Sequence, residues 1–318
     1  MKHSGTGTMR RLTAGAAAVA AAAALLTASN QATAVPSAGI DRPLRILVSN
    51  DDGYRHPFIR ALKGALAGSG HQVVIVAPAD DQSGRGTGMN FTQGAGIRAA
   101  EEEPGVWSVT GSPGDAVSFG VRHVFRDAPP DLVVSGVNAG QNIGVLANHS
   151  GTVGATVTAN DLGVPAIAVS AGFDLTDPRN PFPSLAQAAA FTARTVDRLA
   201  RTAPAGELLP PGTALNINYP AHVTGGVAFT NVGEAAAFTA DYVPDPATCA
   251  TCYKLALSAP PATPEPVGNA DTTALASGQV SVSLLTGDWG AAGWAAGRGG
   301  PTPAEVRLTR LRLTGLTP

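Results

Sequence analysis

Asp51 and Asp52 stand side by side where the apolar run Leu44-Arg45-Ile46-Leu47-Val48 gives way to Ser49-Asn50-Asp51-Asp52-Gly53. A short run rich in β-branched residues that stops at polar residues and glycine has the form of a buried strand feeding a loop. Two adjacent carboxylates at that point repel each other, and burial disfavours both ionised forms unless a cation neutralises them. Oxygen donors of this kind suit hard divalent ions such as magnesium or manganese. The same residues have a plainer reading. Asp is a common helix cap, and Phe58, Ile59, Leu62 and Leu66 repeat at helical spacing within a helix expected over about His56 to Ser69.

Two more polar loops bear on that choice. Gln72 to Ala77 reads as a second buried strand closed by Pro78, so strand, helix and strand form a parallel βαβ unit with a right-handed crossover. Its outgoing loop, Asp80-Asp81-Gln82-Ser83-Gly84-Arg85-Gly86-Thr87-Gly88, lacks the Lys-Ser/Thr ending of a Walker loop, and no GxGxxG fingerprint follows the first strand. Asp131 to Gly136 is a further strand running into Val137 to Gly144. A helix beginning near Gly151 then has Val153, Val157 and Leu162 facing inward. The segment Asn148-His149-Ser150-Gly151-Thr152 offers hydroxyls and free backbone N–H groups ahead of that helix, a ready anion site, although Ser150 and Thr152 are also ordinary capping residues.

In open α/β proteins the loops at the carboxyl ends of the strands gather on one edge of the sheet. That edge brings together Asp51, Asp52, Ser83 and Asn138, an all-oxygen set for one divalent metal cation. Asn142 and Ser150-Gly151-Thr152 lie beside it as phosphate-binding candidates. A metal beside a phosphate cradle points to metal-assisted hydrolysis of phosphate esters, with Asp51 and Asp52 as the catalytic carboxylates. His56 and His149 are near enough in sequence to be considered as acids for the leaving group, but each also reads as a surface or packing histidine. Asp115 is expected to be a structural first-turn acid.

Ser49 to Gly53, the loop around Ser83, Ser135 to Asn142 (SGVNAGQN) and Ser150 to Ala155 (SGTVGA), in this order and spacing, resemble the SurE family over most of residues 44–232. The resemblance implies a metal-dependent nucleotidase acting on nucleoside 5′- or 3′-monophosphates. It matches Asp51, Asp52, Ser83 and Asn138 to metal ligands, and Asn142 and Ser150 to Thr152 to phosphate contacts. It also implies a Rossmann-like, three-layer α/β/α core with a mostly parallel sheet, and a C-terminal extension that pairs subunits into homodimers or homotetramers. The chain departs from the family pattern in four places. His56-Pro57-Phe58 replaces Ala-Pro-Gly, and His149 replaces an aromatic. Gly111-Ser112-Pro113-Gly114-Asp115-Ala116 replaces Gly-Thr-Pro-x-Asp-Cys, and Gly278-Gln279-Val280-Ser281 replaces Gly-Tyr-Val-Ser. A broad phosphatase or exopolyphosphatase using the same site, and a secreted nucleotide-binding module without catalysis, are the alternatives.

Composition sets the wider frame. The 318 residues are 44% hydrophobic with a formal net charge of −2, which supports a sizeable core and gives no electrostatic case for nucleic acid or an anionic membrane. Lys2, Arg10 and Arg11, the apolar run Ala14 to Leu26 and Ala32-Thr33-Ala34 have the order of an export signal, expected over residues 1–34, and the arginine pair hints at the twin-arginine route. The apolar run is shorter than the roughly 20 residues a membrane span needs, so no membrane contact is expected of the mature form. A linker at 35–42, a core at 43–232 and an extension at 233–318 complete the expected organisation. In that extension Val280 to Leu284 reads as a half-exposed strand, residues 290–303 as a loose Gly/Ala/Pro-rich loop, and Val306 to Leu313 as a β-like or amphipathic segment. The two cysteines, Cys249 and Cys252, lie in a Pro-flanked loop context and are expected to form a local disulfide in an oxidising compartment.

Overall fold

Three short β-branched or Leu-rich runs build the centre of the fold: β1 (Arg45–Ser49), β2 (Gln72–Pro78) and, further along, β5 (Leu132–Ala139). In the computed structural model, which describes Met1 and residues 39–174, 176–236, 238–258, 264–287 and 303–318, β1 pairs in parallel with both β2 and β5. β3 (Ala99–Glu103) and β4 (Val106–Val109) extend the sheet beyond β2, β3 being antiparallel. β6 (Ala166–Ala171) and β7 (Thr213–Tyr219) extend it in parallel beyond β5. The export signal expected over 1–34 and nearly all of the loop expected at 290–303 lie outside the described residues.

Side-chain alternation sorts the strands between two cores. Ile46, Val48, Ile75, Val134, Ile167 and Ile217 pack under α1 (Pro57–Gly68) and a later helix, α4 (Leu185–Arg201), whose Phe191 and Leu199 are fully buried. Leu47, Val76 and Val133 face the other way, against α2 (Pro113–Phe119) and α3 (Gly151–Asp161). Two helical layers on a mostly parallel sheet make the expected three-layer α/β/α arrangement.

Three local expectations are corrected. Val157 of α3 is only half-buried, whereas Gly154, Ala155, Thr156, Thr158 and Ala159 are buried; Leu162, just past the helix, packs on the core as expected. An added Cβ on Gly154 would lie 1.9 Å from the Gly86 carbonyl oxygen, so the loop after β2 presses on this helix and selects small residues. Helical structure also returns late in the chain, as α5 (Asp271–Ala276) and α6 (Pro303–Arg312), the second over the segment expected to be β-like or amphipathic. Finally, the sheet crosses the boundary expected at residue 232. β8 (Val227–Thr230) and β11 (Val280–Thr286) join it in the order β7-β11-β8, which makes nine strands among the described residues. β11 is not half-exposed, because the Ser281 and Ser283 hydroxyls are fully buried and meet Thr230 Oγ1 at 3.0 and 2.7 Å. Buried hydroxyls are tolerated when paired. Between β8 and β11, β9 (Thr239–Pro244) and β10 (Tyr253–Ser258) form a separate hairpin, and a Cys249–Cys252 disulfide closes its tip as expected.

Candidate metal and phosphate site

The chain turns sharply at the end of β1. Asn50 closes the turn, with Gly53 N donating to its Oδ1 at 3.2 Å and its Nδ2 donating to the Gly53 carbonyl at 3.1 Å. Gly53 itself takes φ 101°, a conformation that favours glycine. The N-cap of α1 is His56, with no side-chain capping bond, so neither Asp51 nor Asp52 caps this helix. The capping reading is thereby excluded, and both carboxylates are left at the sheet edge.

Asp51 is buried and accepts the Thr152 hydroxyl at 2.6 Å. Burial raises its pKa; the Thr152 hydroxyl and main-chain amides of Asp51 and Thr152 oppose the rise. The start of α3 fits over Asp51 because residue 151 is glycine, where a Cβ would lie 2.8 Å from that of Asp51. Asp52 is less well served. Its Oδ2 is buried with no hydrogen-bond partner, and the nearest basic atom is His56 Nδ1 at 4.0 Å. Burial, then the charges of Asp51 and Asp81, push Asp52 up to about 7. Burial lowers His56, opposed by the charge of Asp81.

Ser83 lies on a loop fastened to this point, since Gln82 N donates to the Asp51 carbonyl at 2.7 Å. Its own hydroxyl donates to Asp81 Oδ1 at 2.7 Å. Asp81 is a neighbour of the site that sequence reasoning passed over: a third carboxylate close enough to raise both others, signalled only by the acidic pair opening the loop. Asn138 sits at the end of β5, beyond a register shift against β6 between Ser135 and Asn138. Such irregularities re-aim side chains at strand ends. Gly136 allows this one, because a Cβ there would meet Val169 O at 2.3 Å. Asn138 Nδ2 donates to the Gly140 carbonyl.

The phosphate candidates are partly committed within the chain. Asn142 is buried; its Nδ2 donates to Ser170 Oγ at 3.0 Å, its N–H donates to Asn218 Oδ1, and its carbonyl accepts from Asn216 and Asn218. Asn142 therefore anchors its loop. Ser150 accepts from Val153 N as the N-cap of α3, and Thr152 holds Asp51. His149 is exposed, and its carbonyl accepts from Gly86 N at 3.0 Å. Asp115 is structural as expected, in a reciprocal capping box with Ser112. A cavity of about 330 Å³ lies elsewhere, at the amino ends of the strands beside the Arg42–Asp131 pair.

Among the described residues no three His, Cys, Asp or Glu side chains cluster as a metal site. An ion here would depend on mixed donors: two carboxylates, a hydroxyl and an amide oxygen. The unpartnered Asp52 Oδ2 beside a second carboxylate fits such an ion, since a buried charge without a partner is costly.

Fold and site define a class, a Rossmann-like α/β protein with an oxygen-donor acidic site at the carboxyl edge of its parallel strands. The model of the family described as survival protein SurE matches residues 46–239, a span that contains every residue of this site. The chain belongs to the SurE family. It is 43% identical over 188 residues to a protein of Syntrophotalea carbinolica named 5′-nucleotidase SurE, covering 59% of this chain and 70% of that one. A Geobacter metallireducens protein of the same name is 42% identical over 177 residues, covering 56% and 65%. The crystal structure of the SurE protein from Aquifex aeolicus superimposes with a TM-score of 0.61 at 30% identity, over 77% of this chain and 94% of that one.

Proposed function

We propose that this chain is a metal-dependent phosphomonoesterase that hydrolyses nucleoside 5′- and 3′-monophosphates to nucleoside and phosphate. The observation that carries the proposal is the buried, unpartnered Asp52 Oδ2 beside Asp51 at the start of a helix. The names of the relatives, 5′-nucleotidase SurE, support the substrate class.

In this reading Asp51, Asp52, Ser83 and Asn138 hold one divalent cation, magnesium or manganese, with Ser83 turning away from Asp81. When bound, such an ion neutralises phosphoryl charge and makes water a better nucleophile. The chain's own groups do the rest. Thr152 fixes the Asp51 carboxylate. Asp52, which holds the ion in this reading, is also the candidate to accept a proton from the attacking water. The first amides of α3, above all that of Gly151, face the incoming phosphate, and Ser150, Thr152 and Asn142 hold that cradle in shape. His56 packs edge-on against Phe58 and is given no proton-transfer role in this reading.

Two further readings belong to this proposal. The chain is exported, supported by the order of its first 34 residues and by the Cys249–Cys252 bond, which suits an oxidising compartment. Amino-terminal sequencing of the mature protein should begin near Val35. The chain also self-associates as a dimer or tetramer, supported by the β9–β10 hairpin. There Tyr242, Tyr253, Leu255 and Leu257 are all more than half exposed.

Phosphate release from a panel of monophosphates tests the activity. Release from nucleotides, lost with EDTA and restored by manganese or magnesium, is the expected result. Equal release from every ester would instead identify a general phosphatase, and none under any metal would overturn the proposal.

A further inference from the structure

We infer that Phe173, backed by Phe182 and Phe58, is the platform on which the nucleobase of the substrate stacks; this rests on the nucleotidase reading above. A line of edge-on aromatic contacts leaves the metal site. His56, with Nδ1 4.0 Å from Asp52 Oδ2, packs on Phe58 at 4.7 Å between ring centroids. Phe58 packs on Phe182 at 5.2 Å, and Phe182 on Phe173 at 5.2 Å. The line ends in Phe173, a residue 45% exposed.

Its far end returns to the phosphate loop, because Phe173 N donates to Gln141 Oε1 at 3.3 Å, one residue before Asn142. Both ends of the aromatic line therefore attach to loops of the same site. The loop bearing Phe173 is braced. Asp174 N donates to the Pro181 carbonyl at 2.8 Å, and the Asp174 carboxylate accepts Thr176 N, Thr176 Oγ1 and His222 Nε2 at 2.6–2.8 Å. A ring held this way receives a ligand with little ordering cost.

An exposed aromatic residue tied through its backbone to the loop of Gln141 and Asn142 selects for a planar π system, which a nucleobase has and a bare sugar phosphate or polyphosphate lacks.

Adenosine and ribose, neither of which carries a phosphate, isolate the platform from turnover. Ligand-observed NMR on the metal-loaded protein should show adenosine binding and ribose not. Phe173→Ala should weaken adenosine about 5- to 160-fold, the range expected for one stacked base, and Phe173→Trp should retain it. In turnover, Phe173→Ala should raise KM for adenosine monophosphate by a similar factor and leave kcat and the KM for ribose 5-phosphate unchanged. Adenosine binding no tighter than ribose, or unaffected by Phe173→Ala, overturns the inference even if nucleotides are hydrolysed. Phe173-dependent adenosine binding in a protein that hydrolyses no ester leaves the platform standing and removes the nucleotidase reading.

Discussion

At the residue scale, the weight falls on two carboxylates with different supports. Asp51 has a hydroxyl donor and the main-chain amides of Asp51 and Thr152; Asp52 has one oxygen with nothing. Asp51→Asn should reduce phosphate release at least 100-fold, the scale of losing a preorganised charge at a reacting phosphate. Near-normal turnover would remove Asp51 from the metal site. Thr152→Val should lower stability by about 1.5–3 kcal/mol, the range for a buried hydrogen bond to a charged group, read from urea unfolding. Adding manganese to EDTA-treated protein at neutral pH should raise the thermal midpoint. The rise should be absent in Asp52→Asn, since a ligand that binds only the folded state stabilises it.

At the element scale, α1 was legible because its apolar residues recur on one face, and the structure bounds it at Pro57 and Gly68. α3 was legible in its start but not in its buried face. The pressure that selects Gly154 comes from Gly86, 68 positions away, which no local periodicity records. Gly154→Ala should therefore displace the Ser83 loop and reduce activity together with stability. Gly64→Ala, in the exposed interior of α1 with no atom within 4 Å of an added Cβ, should raise stability by about 0.5–1 kcal/mol. The two thermal midpoints should move in opposite directions.

At the scale of the whole molecule, the late segments close the fold. Glu265 clamps the stretch after β8, accepting Glu234 N, Ala235 N, Val267 N and Thr272 Oγ1. Burial would raise this carboxyl, but those donors prevail and hold it at about 2. Its native pKa lies below that of the unfolded chain, so its contribution is present above about pH 4.5 and is lost as pH falls toward 2. Glu265→Gln should be less stable than the parent at pH 7, and thermal midpoints should converge near pH 2. At the other end, Arg312 of α6 donates to the Leu199 carbonyl and Leu313 is buried in the core beside α4. Removing residues 303–318 should lower the urea midpoint; an unchanged midpoint would mean that α6 adds nothing to the core.

The sequence by itself determined the βαβ beginning, the acidic turn, the loops that meet at the sheet edge and the local disulfide. These follow from short-range rules: strands end at polar residues, helices repeat every 3.6 positions, and loops after parallel strands share one edge. Tertiary structure decided the rest. It freed Asp51 and Asp52 from capping, turned Asn142 and Thr152 inward as supports, and brought Asp81 beside the carboxylate pair. It also drew β11 between β7 and β8 and lined up four rings from residues 56 to 182. Each of these depends on partners distant in the chain, and burial and close approach are set by those partners.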